Sequence, residues 1–223
     1  MRRRTGTYMH RIYYLIGKSA SGKDSILASL LRDRSLKLHE IVQYTTRPIR
    51  DGEQEGREYH FISIAEKDAF GAAGKIVECR TYHTVHGDWH YMMIDDGQID
   101  LSKKDYAAVG TVESYKKVRD YFGADRVVPL YVYVETGERL QRALDRERNH
   151  ANPKYAEMCR RFLADEQDFD DAHLKDAGIL LEDGTLYNGF ENAEFASCVD
   201  AIREYIRSTN RRTSNGKGGR KQA

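Results

Sequence analysis

The chain has 223 residues, of which 40% are hydrophobic and 32% are charged, and its formal net charge is +1. This ordinary balance excludes a strongly basic nucleic-acid binder, and no apolar run is long enough to span a membrane. Three widely spaced cysteines without a C-x-x-C pair argue against a disulfide framework and favour a reducing compartment, the cytoplasm.

Strand-like runs alternate with helical patterns along the chain. The strand-like runs are 11–17, 106–112 and 126–135, and the helical patterns that follow them are 22–32, 113–122 and 137–149. The first group is rich in β-branched and aromatic residues, whereas the second places apolar residues three and four positions apart. Strand, helix and strand in series predict an α/β core with a parallel sheet.

Two stretches interrupt this alternation of strands and helices. Residues 35–100 combine short strand signals with Gly-rich turns, whereas residues 136–168 are arginine-rich and helical, with a break near Pro153. We interpret both stretches as insertions at the carboxyl ends of core strands, because ligands bind at that edge of such sheets.

One domain is predicted over residues 8–207. Its core consists of 8–34 and 101–207, and the inserted stretches form two subdomains. Residues 208–223 are polar, basic and partly Gly-rich, so this segment is predicted to be a disordered tail.

A glycine loop lies between the first strand and the first helix. Gly17, Gly22 and Lys23 fit the pattern G-x-x-x-x-G-K-[ST], in which backbone N–H groups wrap an anion at the start of a helix. Lys23 adds a mobile positive charge for the outer phosphates of a nucleotide. The residues predicted to bind the donor nucleotide here are Gly17, Lys18, Ser19, Ala20, Ser21, Gly22, Lys23, Asp24 and Ser25.

Asp24 stands where this pattern has a serine or threonine that helps to hold magnesium. A carboxylate alone would weaken the binding of an anion, but it is a good hard ligand when Mg²⁺ is present. We predict that Asp24, with Ser25 beside it, binds Mg²⁺ together with the nucleotide. The alternative is that Asp24 caps the helix or pairs locally with Lys18.

A second anion site is predicted in residues 44–61. Arg47 and Arg50 lie three residues apart, with the hydroxyl of Tyr59 close in sequence. Guanidinium groups bind phosphate through two parallel hydrogen bonds, and hydroxyls can satisfy the remaining oxygens. The alternative is a solvated loop in which both arginines pair with acidic residues of the same segment.

This segment resembles the monophosphate-binding subdomain of guanylate kinases, whose pattern is T-T-R-x-x-R-x-G-E-x-x-G-x-x-Y-x-F. The matching residues are Thr45, Thr46, Arg47, Arg50, Gly52, Glu53, Gly56, Tyr59 and Phe61. The resemblance extends from Ile12 to about Ile206. It implies a P-loop kinase with a central parallel sheet flanked by helices, plus inserted monophosphate-binding and lid subdomains. It also implies that Arg47, Arg50 and Tyr59 bind the phosphate of GMP.

The stretch 74–92 is similar to the family's G-x-x-x-E-x-A-x-V-x-G-N-Y-Y-G-T, with a small insertion. This resemblance implies that the carboxylate of Glu78 recognises guanine, because guanine offers it two adjacent hydrogen-bond donors. Three other family positions differ, because Gln43 replaces a serine, Met92 replaces a serine or threonine, and 109–111 lacks an acidic residue. Guanine recognition is therefore expected to depend mainly on Glu78.

The arginine-rich helical stretch resembles the lid of guanylate kinases. Arg142 and Arg146 lie four residues apart and therefore share a helix face. The resemblance implies that both contact the transferring phosphate, together with Arg160 or Arg161. The spacing to a downstream alanine favours Arg160, and the following apolar residue favours Arg161. A solvated, salt-bridged helix surface is the alternative.

Residues 187–194 are similar to the family's late V-x-N-D stretch. This resemblance implies that Asn188 lies near the adenine ring of ATP.

The resemblance implies the reaction of ATP and GMP to ADP and GDP, with Mg²⁺. The residues predicted to be catalytic are Lys23, Arg47, Arg142, Arg146 and Arg160. The predicted partners are thus two small-molecule substrates, with no nucleic acid or membrane, and the oligomeric state stays open.

Two alternatives remain for the function. The first alternative is a kinase that phosphorylates a different acceptor, either another nucleoside monophosphate or ribose 1,5-bisphosphate. The G-K-D-S run supports it, because this run also resembles the phosphate loop of ribose bisphosphate kinases. The second alternative is a catalytically silent guanylate-kinase-like binding module, and the feature that favours it most is the aspartate at position 24.

Overall fold

The computed structural model describes residues 9–50, 52–84 and 87–215. In chain order the elements are β1 (Ile12–Ile16), α1 (Lys23–Arg32), β2 (Leu38–Glu40), β3 (Tyr44–Thr45), β4 (His60–Phe61), α2 (Ile64–Ala72), β5 (Ile76–Thr84), β6 (Gly87–Ile94), β7 (Asp105–Gly110), α3 (Val112–Phe122), β8 (Val127–Tyr133), α4 (Thr136–Arg148), α5 (Tyr155–Asp168), α6 (Asp171–Asp176), β9 (Gly189–Glu191) and α7 (Phe195–Asn215).

The larger sheet has the strand order β2-β7-β1-β8-β9, and its neighbouring strands are all parallel. In the centre, Ile12 of β1 pairs with Tyr106 of β7 on one side and with Val127 of β8 on the other. Because parallel strands end at the same edge, the loops after β1, β8 and β9 lie together. The predicted α/β core with a central parallel sheet is confirmed.

Helices cover both faces of this sheet, so β1 is buried along its whole length. Ile12 and Ile16 belong to a cluster with side chains of α3, whereas Leu15 belongs to a second cluster with side chains of α1 and α7. Burying each of these aliphatic side chains stabilises the fold by roughly 2 kcal/mol. The strand that leads into the glycine loop is therefore held firmly from both sides.

A smaller sheet with the strand order β4-β3-β6-β5 lies within the predicted insertion. The structure corrects where this insertion begins, because β2 belongs to the larger sheet and pairs Leu38 with Asp105 of β7. The segment that leaves the core therefore starts after Glu40, not at residue 35. Short strands of three residues carry too little periodicity to be assigned from sequence.

The end of the chain also differs from the prediction. Helix α7 continues to Asn215, so residues 208–215 are helical rather than disordered. The hydroxyl of Tyr13 in β1 donates a hydrogen bond to Oδ1 of Asn210 at 2.6 Å, which ties this part of α7 to the core. The rest of the predicted tail, 216–223, lies outside the described residues.

Among the described residues, none of the helices combines the length and the apolar composition that crossing a bilayer requires.

Candidate active site

The glycine loop runs from the carboxyl end of β1 to the first turn of α1. At Gly17 a Cβ atom would lie 2.5 Å from the carbonyl oxygen of Val132, so only glycine fits against β8. Gly22 has a φ of +86° and precedes α1 without any side-chain cap. The first amides of α1 are thus left for an anion, which the positive end of the helix also attracts.

Asn192 anchors this loop, and sequence reasoning missed it. Its Nδ2 donates to the carbonyl oxygen of Ser21 at 2.8 Å, and its backbone N–H donates to that of Tyr133. The side chain is buried, and its Oδ1 has no partner within the described residues. Asn192 follows β9 directly, so the strand delivers it to the same edge as the loop.

The structure does not bring Asn188 to the glycine loop, and its position near adenine stays a prediction. Asn188 precedes β9, and its Nδ2 donates to the carbonyl oxygen of Pro129 inside β8 at 3.0 Å. The strand β9 separates the two asparagines, so they stand at opposite ends of it.

Lys23 and Asp24 form an ion pair with each other at 3.2 Å. The Asp24 side chain is 74% exposed, and an ion pair with so exposed a partner contributes less than about 1 kcal/mol. Asp24 does not pair with Lys18, which was the alternative partner. The Asp24 carboxylate and the exposed Ser25 are both accessible hard oxygen donors, so this pair of residues fits a magnesium ion that also binds phosphates.

Two carboxylates of α5 contact the outer side of the glycine loop. Asp165 accepts a hydrogen bond from the backbone N–H of Ser19 at 2.7 Å, and Glu166 pairs with Lys18 at 2.7 Å. Both carboxylates also pair with Arg139 of α4, whose side chain is almost fully buried. This cluster fixes the loop to the two helices of the lid.

Arg142 is held beside the anchor of the loop. Its Nε donates to Glu138 at 2.9 Å, and one terminal nitrogen donates to the carbonyl oxygen of Asn192 at 2.9 Å. Arg146, one helical turn later, is exposed and has no ion pair among the described residues. It lines a small cleft together with Ser19 and Arg161. Arg146 therefore lies beside the glycine loop, and Arg142 lies beside Asn192, which holds that loop; their contact with the transferring phosphate stays a prediction.

Of the two adjacent arginines in α5, Arg161 lies beside the loop. Arg160, the predicted catalytic residue, instead forms a two-pronged pair with Glu157 at 2.7 Å and 2.7 Å. Glu157 also contacts Arg161, at 3.2 Å. The structure thus places Arg161, not Arg160, in the cleft with Ser19. Neighbouring helical residues point about 100° apart, so only one of the two can face the loop.

Arg47 is the buried centre of the predicted second anion site. Its two terminal nitrogens donate to the two carboxylate oxygens of Glu53 at 2.7 Å and 2.6 Å, and its Nε is buried without a partner in the described part of the chain. The rings of Tyr59 and Phe61 lie 5.2 Å and 5.3 Å from its guanidinium carbon. The hydrogen bonds from Arg47 lower the pKa of Glu53 from 4.5 to about 2.

Arg50 and Tyr59 complete this site. The guanidinium of Arg50 lies 6.0 Å from the ring of Trp89, and its side chain makes no ion pair with any described residue. Burial raises the pKa of Tyr59, and among smaller contributions the negative charge of Asp24 raises it further. The carbonyl oxygen of Val109 in β7, beside the strand that leads into the glycine loop, accepts a hydrogen bond from Gln43 next to β3, so both predicted sites lie at the same edge of the central sheet.

Glu78 is buried and paired with a residue that the sequence analysis did not single out. Its two oxygens accept hydrogen bonds from Nε and a terminal nitrogen of Arg80, both at 3.2 Å. The same terminal nitrogen donates to Oε1 of Gln43 at 3.1 Å, and Nε2 of Gln43 donates to the carbonyl oxygen of Val109. Burial raises the pKa of Glu78, whereas Arg80 opposes that rise.

The family model of guanylate kinase matches residues 9–172 of this chain. The chain belongs to the guanylate kinase family. A guanylate kinase of Porphyromonas gingivalis is 26% identical over 200 residues, which are 89% of this chain and 97% of that protein. A guanylate kinase of Baumannia cicadellinicola is 45% identical over 58 residues, which are 25% of this chain and 28% of that protein.

Solved structures show the same fold. The crystal structure of guanylate kinase from Anaplasma phagocytophilum covers 93% of this chain and 90% of its own chain, with a TM-score of 0.60 and 20% identity. As a member of the guanylate kinase family, the chain is a nucleoside monophosphate kinase, that is, a phosphotransferase.

Proposed function

We propose that this member of the guanylate kinase family transfers the γ-phosphate of ATP to GMP, which gives ADP and GDP. The proposal is carried by one observation: Gln43 beside β3 donates to the carbonyl oxygen of Val109 at 3.1 Å, so the small sheet next to Arg47 and Tyr59 is tied to the edge of the central sheet where the glycine loop begins. Phosphoryl transfer requires mainly that donor and acceptor are aligned and that their charge is neutralised. Two cationic sites at one edge of the central sheet can meet both requirements.

On the acceptor side, the chain offers donors that are ready for a phosphate. The buried Nε of Arg47 has no partner within the described residues, and the Arg50 side chain makes no ion pair with a described residue. The phosphate oxygen that attacks is already ionised at neutral pH, so no general base is required. Glu53 keeps the guanidinium of Arg47 in place, and Tyr59 supplies a hydroxyl for a remaining oxygen.

On the donor side, backbone amides at the start of α1 and Lys23 would hold the phosphates of ATP. Asp24 and Ser25 would hold Mg²⁺, which, when bound, supplies positive charge that screens the phosphates. The lid contributes Arg142, already fixed near the loop, and Arg146, whose guanidinium is not engaged by a described carboxylate.

The proposal is tested by an assay that couples ADP release to NADH oxidation, with GMP, dGMP, AMP, UMP and ribose 1,5-bisphosphate as acceptors. We expect turnover with GMP. Turnover with another acceptor but not with GMP would contradict the substrate assignment. Absence of turnover with every acceptor would favour the silent binding module.

Substitution of Arg47 tests whether binding of the acceptor can be weakened without a change in binding of ATP. Arg47→Met removes the acceptor phosphate's main cation, so we expect KM for GMP to rise about 100-fold while KM for ATP stays within about twofold. The control is Arg57→Met, because Arg57 is an exposed arginine of the same subdomain that pairs with Glu58. An equal rise of both KM values would show that Arg47 acts on the fold and not on the acceptor.

We also propose that the protein works in the cytoplasm. Cys79, Cys159 and Cys198 are all free thiols in the structure, as a reducing compartment keeps them. Secretion of an active protein with a disulfide between any two of them would contradict this.

A further inference from the structure

Arg80 occupies the face of Glu78 that a guanine base would need. The guanidinium presents two N–H donors, on Nε and on a terminal nitrogen, to the two oxygens of the Glu78 carboxylate. Guanine presents the same fork of adjacent N–H groups on N1 and N2. A carboxylate accepts one such pair of parallel hydrogen bonds across its two oxygens, so base and arginine compete for one face.

Burial places Arg80 outside Glu78. The Glu78 side chain has no exposed surface, whereas 18% of the Arg80 side chain is exposed. A base that enters from the solvent therefore meets the guanidinium of Arg80 before it meets the carboxylate. Guanine can form its hydrogen bonds with Glu78 only after Arg80 has moved away.

A second contact keeps Arg80 in this position. One terminal nitrogen of Arg80 donates to Gln43 at 3.1 Å, and Gln43 in turn donates to the carbonyl oxygen of Val109 in β7 at 3.1 Å. The chain Glu78, Arg80, Gln43 and Val109 thus links β5 of the small sheet to the central sheet. Displacement of Arg80 breaks the hydrogen bonds to Glu78 and to Gln43 together, so it costs more than the loss of one surface contact.

We propose that Arg80 is an internal competitor for the acceptor base, and that it lowers selectivity for guanine. The acceptor is then selected chiefly through its phosphate, at Arg47, Arg50 and Tyr59. The inference rests on the proposed function, because it takes the acceptor to be a nucleoside monophosphate that is bound at those three residues.

The test compares kcat/KM for GMP and for AMP in the wild-type protein and in Arg80→Ala. Removal of the competitor frees Glu78 for guanine, which AMP cannot use in the same way. We expect the ratio of kcat/KM for GMP over AMP to rise about tenfold, through a lower KM for GMP. An unchanged or lower ratio would overturn the inference, since Arg80 would then be structural or would itself bind guanine.

A double substitution tests whether the gain runs through Glu78. In Arg80→Ala with Glu78→Gln, the amide cannot accept two parallel hydrogen bonds from guanine, so the gain should disappear. A gain that persists would overturn the inference. Arg57→Ala is the matched control, because Arg57 is an exposed arginine of the same subdomain whose pair with Glu58 lies on the surface, and it should leave the ratio unchanged.

Two further measurements keep the inference testable if a variant is unstable or inactive. Gln43→Ala leaves the pair of Arg80 and Glu78 intact but removes its second anchor, and it should raise the ratio by about threefold. If the wild-type protein transfers phosphate to no monophosphate, the proposed function fails. In that case the inference is tested by the melting temperature, which GMP should raise more in Arg80→Ala than in the wild type. An equal or smaller rise in the variant would overturn the inference.

Discussion

The two predicted anion sites differ in where the acidic partners of their basic residues come from. At the acceptor site, Arg47 pairs with Glu53, which lies six residues away in the same loop. At the glycine loop, Lys18 pairs with Glu166, which lies 148 residues away in a lid helix. The acceptor site is therefore organised by its own subdomain, whereas the donor site depends on the packing of the lid helices against the core as well as on core contacts such as that of Asn192. Substitutions of Arg47 should act mainly on the acceptor, and substitutions that break the buried cluster between the lid helices and the glycine loop should also lower stability.

The largest effect is expected at Lys23, because the proposed function makes its charge a direct partner of the transferring phosphate. Lys23→Ala should lower kcat by about 1,000-fold and leave the melting temperature within about 2 °C of the wild type, since Lys23 makes only an exposed pair with Asp24. The coupled assay and calorimetry measure the two quantities. Lys67→Ala removes a similar pair with the adjacent Asp68, and it should change neither. Unchanged turnover in Lys23→Ala would refute the role of Lys23.

Substitution of Arg139 tests the difference between the two sites, because Arg139 joins the lid helices to the glycine loop and does not face the acceptor site. Arg139→Met leaves Asp165 and Glu166 without their buried partner, so the free energy of unfolding should fall by about 3 kcal/mol. KM for ATP should rise more than KM for GMP. Urea unfolding and steady-state kinetics measure these effects.

The matched variant for this test is Arg148→Met, since Arg148 is an exposed arginine of the same helix that pairs with Asp145. It should cost less than about 0.5 kcal/mol. Equal losses in both variants would show that the buried cluster does not couple the lid to the loop.

The pair of Arg47 and Glu53 should make the free energy of unfolding depend on pH, through the carboxylate of Glu53. The folded-state pKa of Glu53 is lowered from 4.5 to about 2, so its stabilisation is present above pH 4.5 and is lost as the pH falls toward 2. The difference in unfolding free energy between the wild type and Glu53→Gln should therefore shrink between pH 4.5 and pH 2.

Urea unfolding at several pH values measures this difference, and Glu182→Gln, at an exposed position, serves as control. A difference that stays constant with pH would mean that the carboxylate of Glu53 does not hold Arg47.

The smallest effect is expected from Asp24→Ser. A hydroxyl can also help to hold Mg²⁺, so kcat should stay within about threefold of the wild type, while Asp24→Leu should require much more Mg²⁺ for half-maximal activity. Titration of the ion in the coupled assay measures this. Equal Mg²⁺ requirements in the serine and leucine variants would remove Asp24 from the metal site.

Sequence patterns predicted the features that are formed by contacts between residues close together in the chain. The strand, glycine loop and helix around Gly17 and Lys23 depend on neighbouring residues. So does the pairing of Arg47 with Glu53, which the sequence offered only as the alternative to an anion site. Tertiary contacts decide the rest. Asn192 reaches Ser21 across 171 residues of sequence, so no spacing in the chain distinguishes it from Asn188.

Arg80 and Arg139 were missed for the same physical reason. The contact of Arg80 with Gln43 spans 37 residues, and that of Arg139 with Asp165 spans 26. In the sequence both resemble ordinary solvated arginines, because an arginine is usually exposed and only its partners show that it is buried. The choice between Arg160 and Arg161 likewise required the orientation of α5 against the loop.

The hydrogen bond between Tyr13 and Asn210 has a practical consequence for anyone who trims the protein. A shortened form that stops at residue 207 would leave the hydroxyl of a wholly buried tyrosine without this acceptor, in the strand that ends at Ile16. Expression plasmids for crystallisation or fusion should therefore keep the chain through Asn215, where α7 ends.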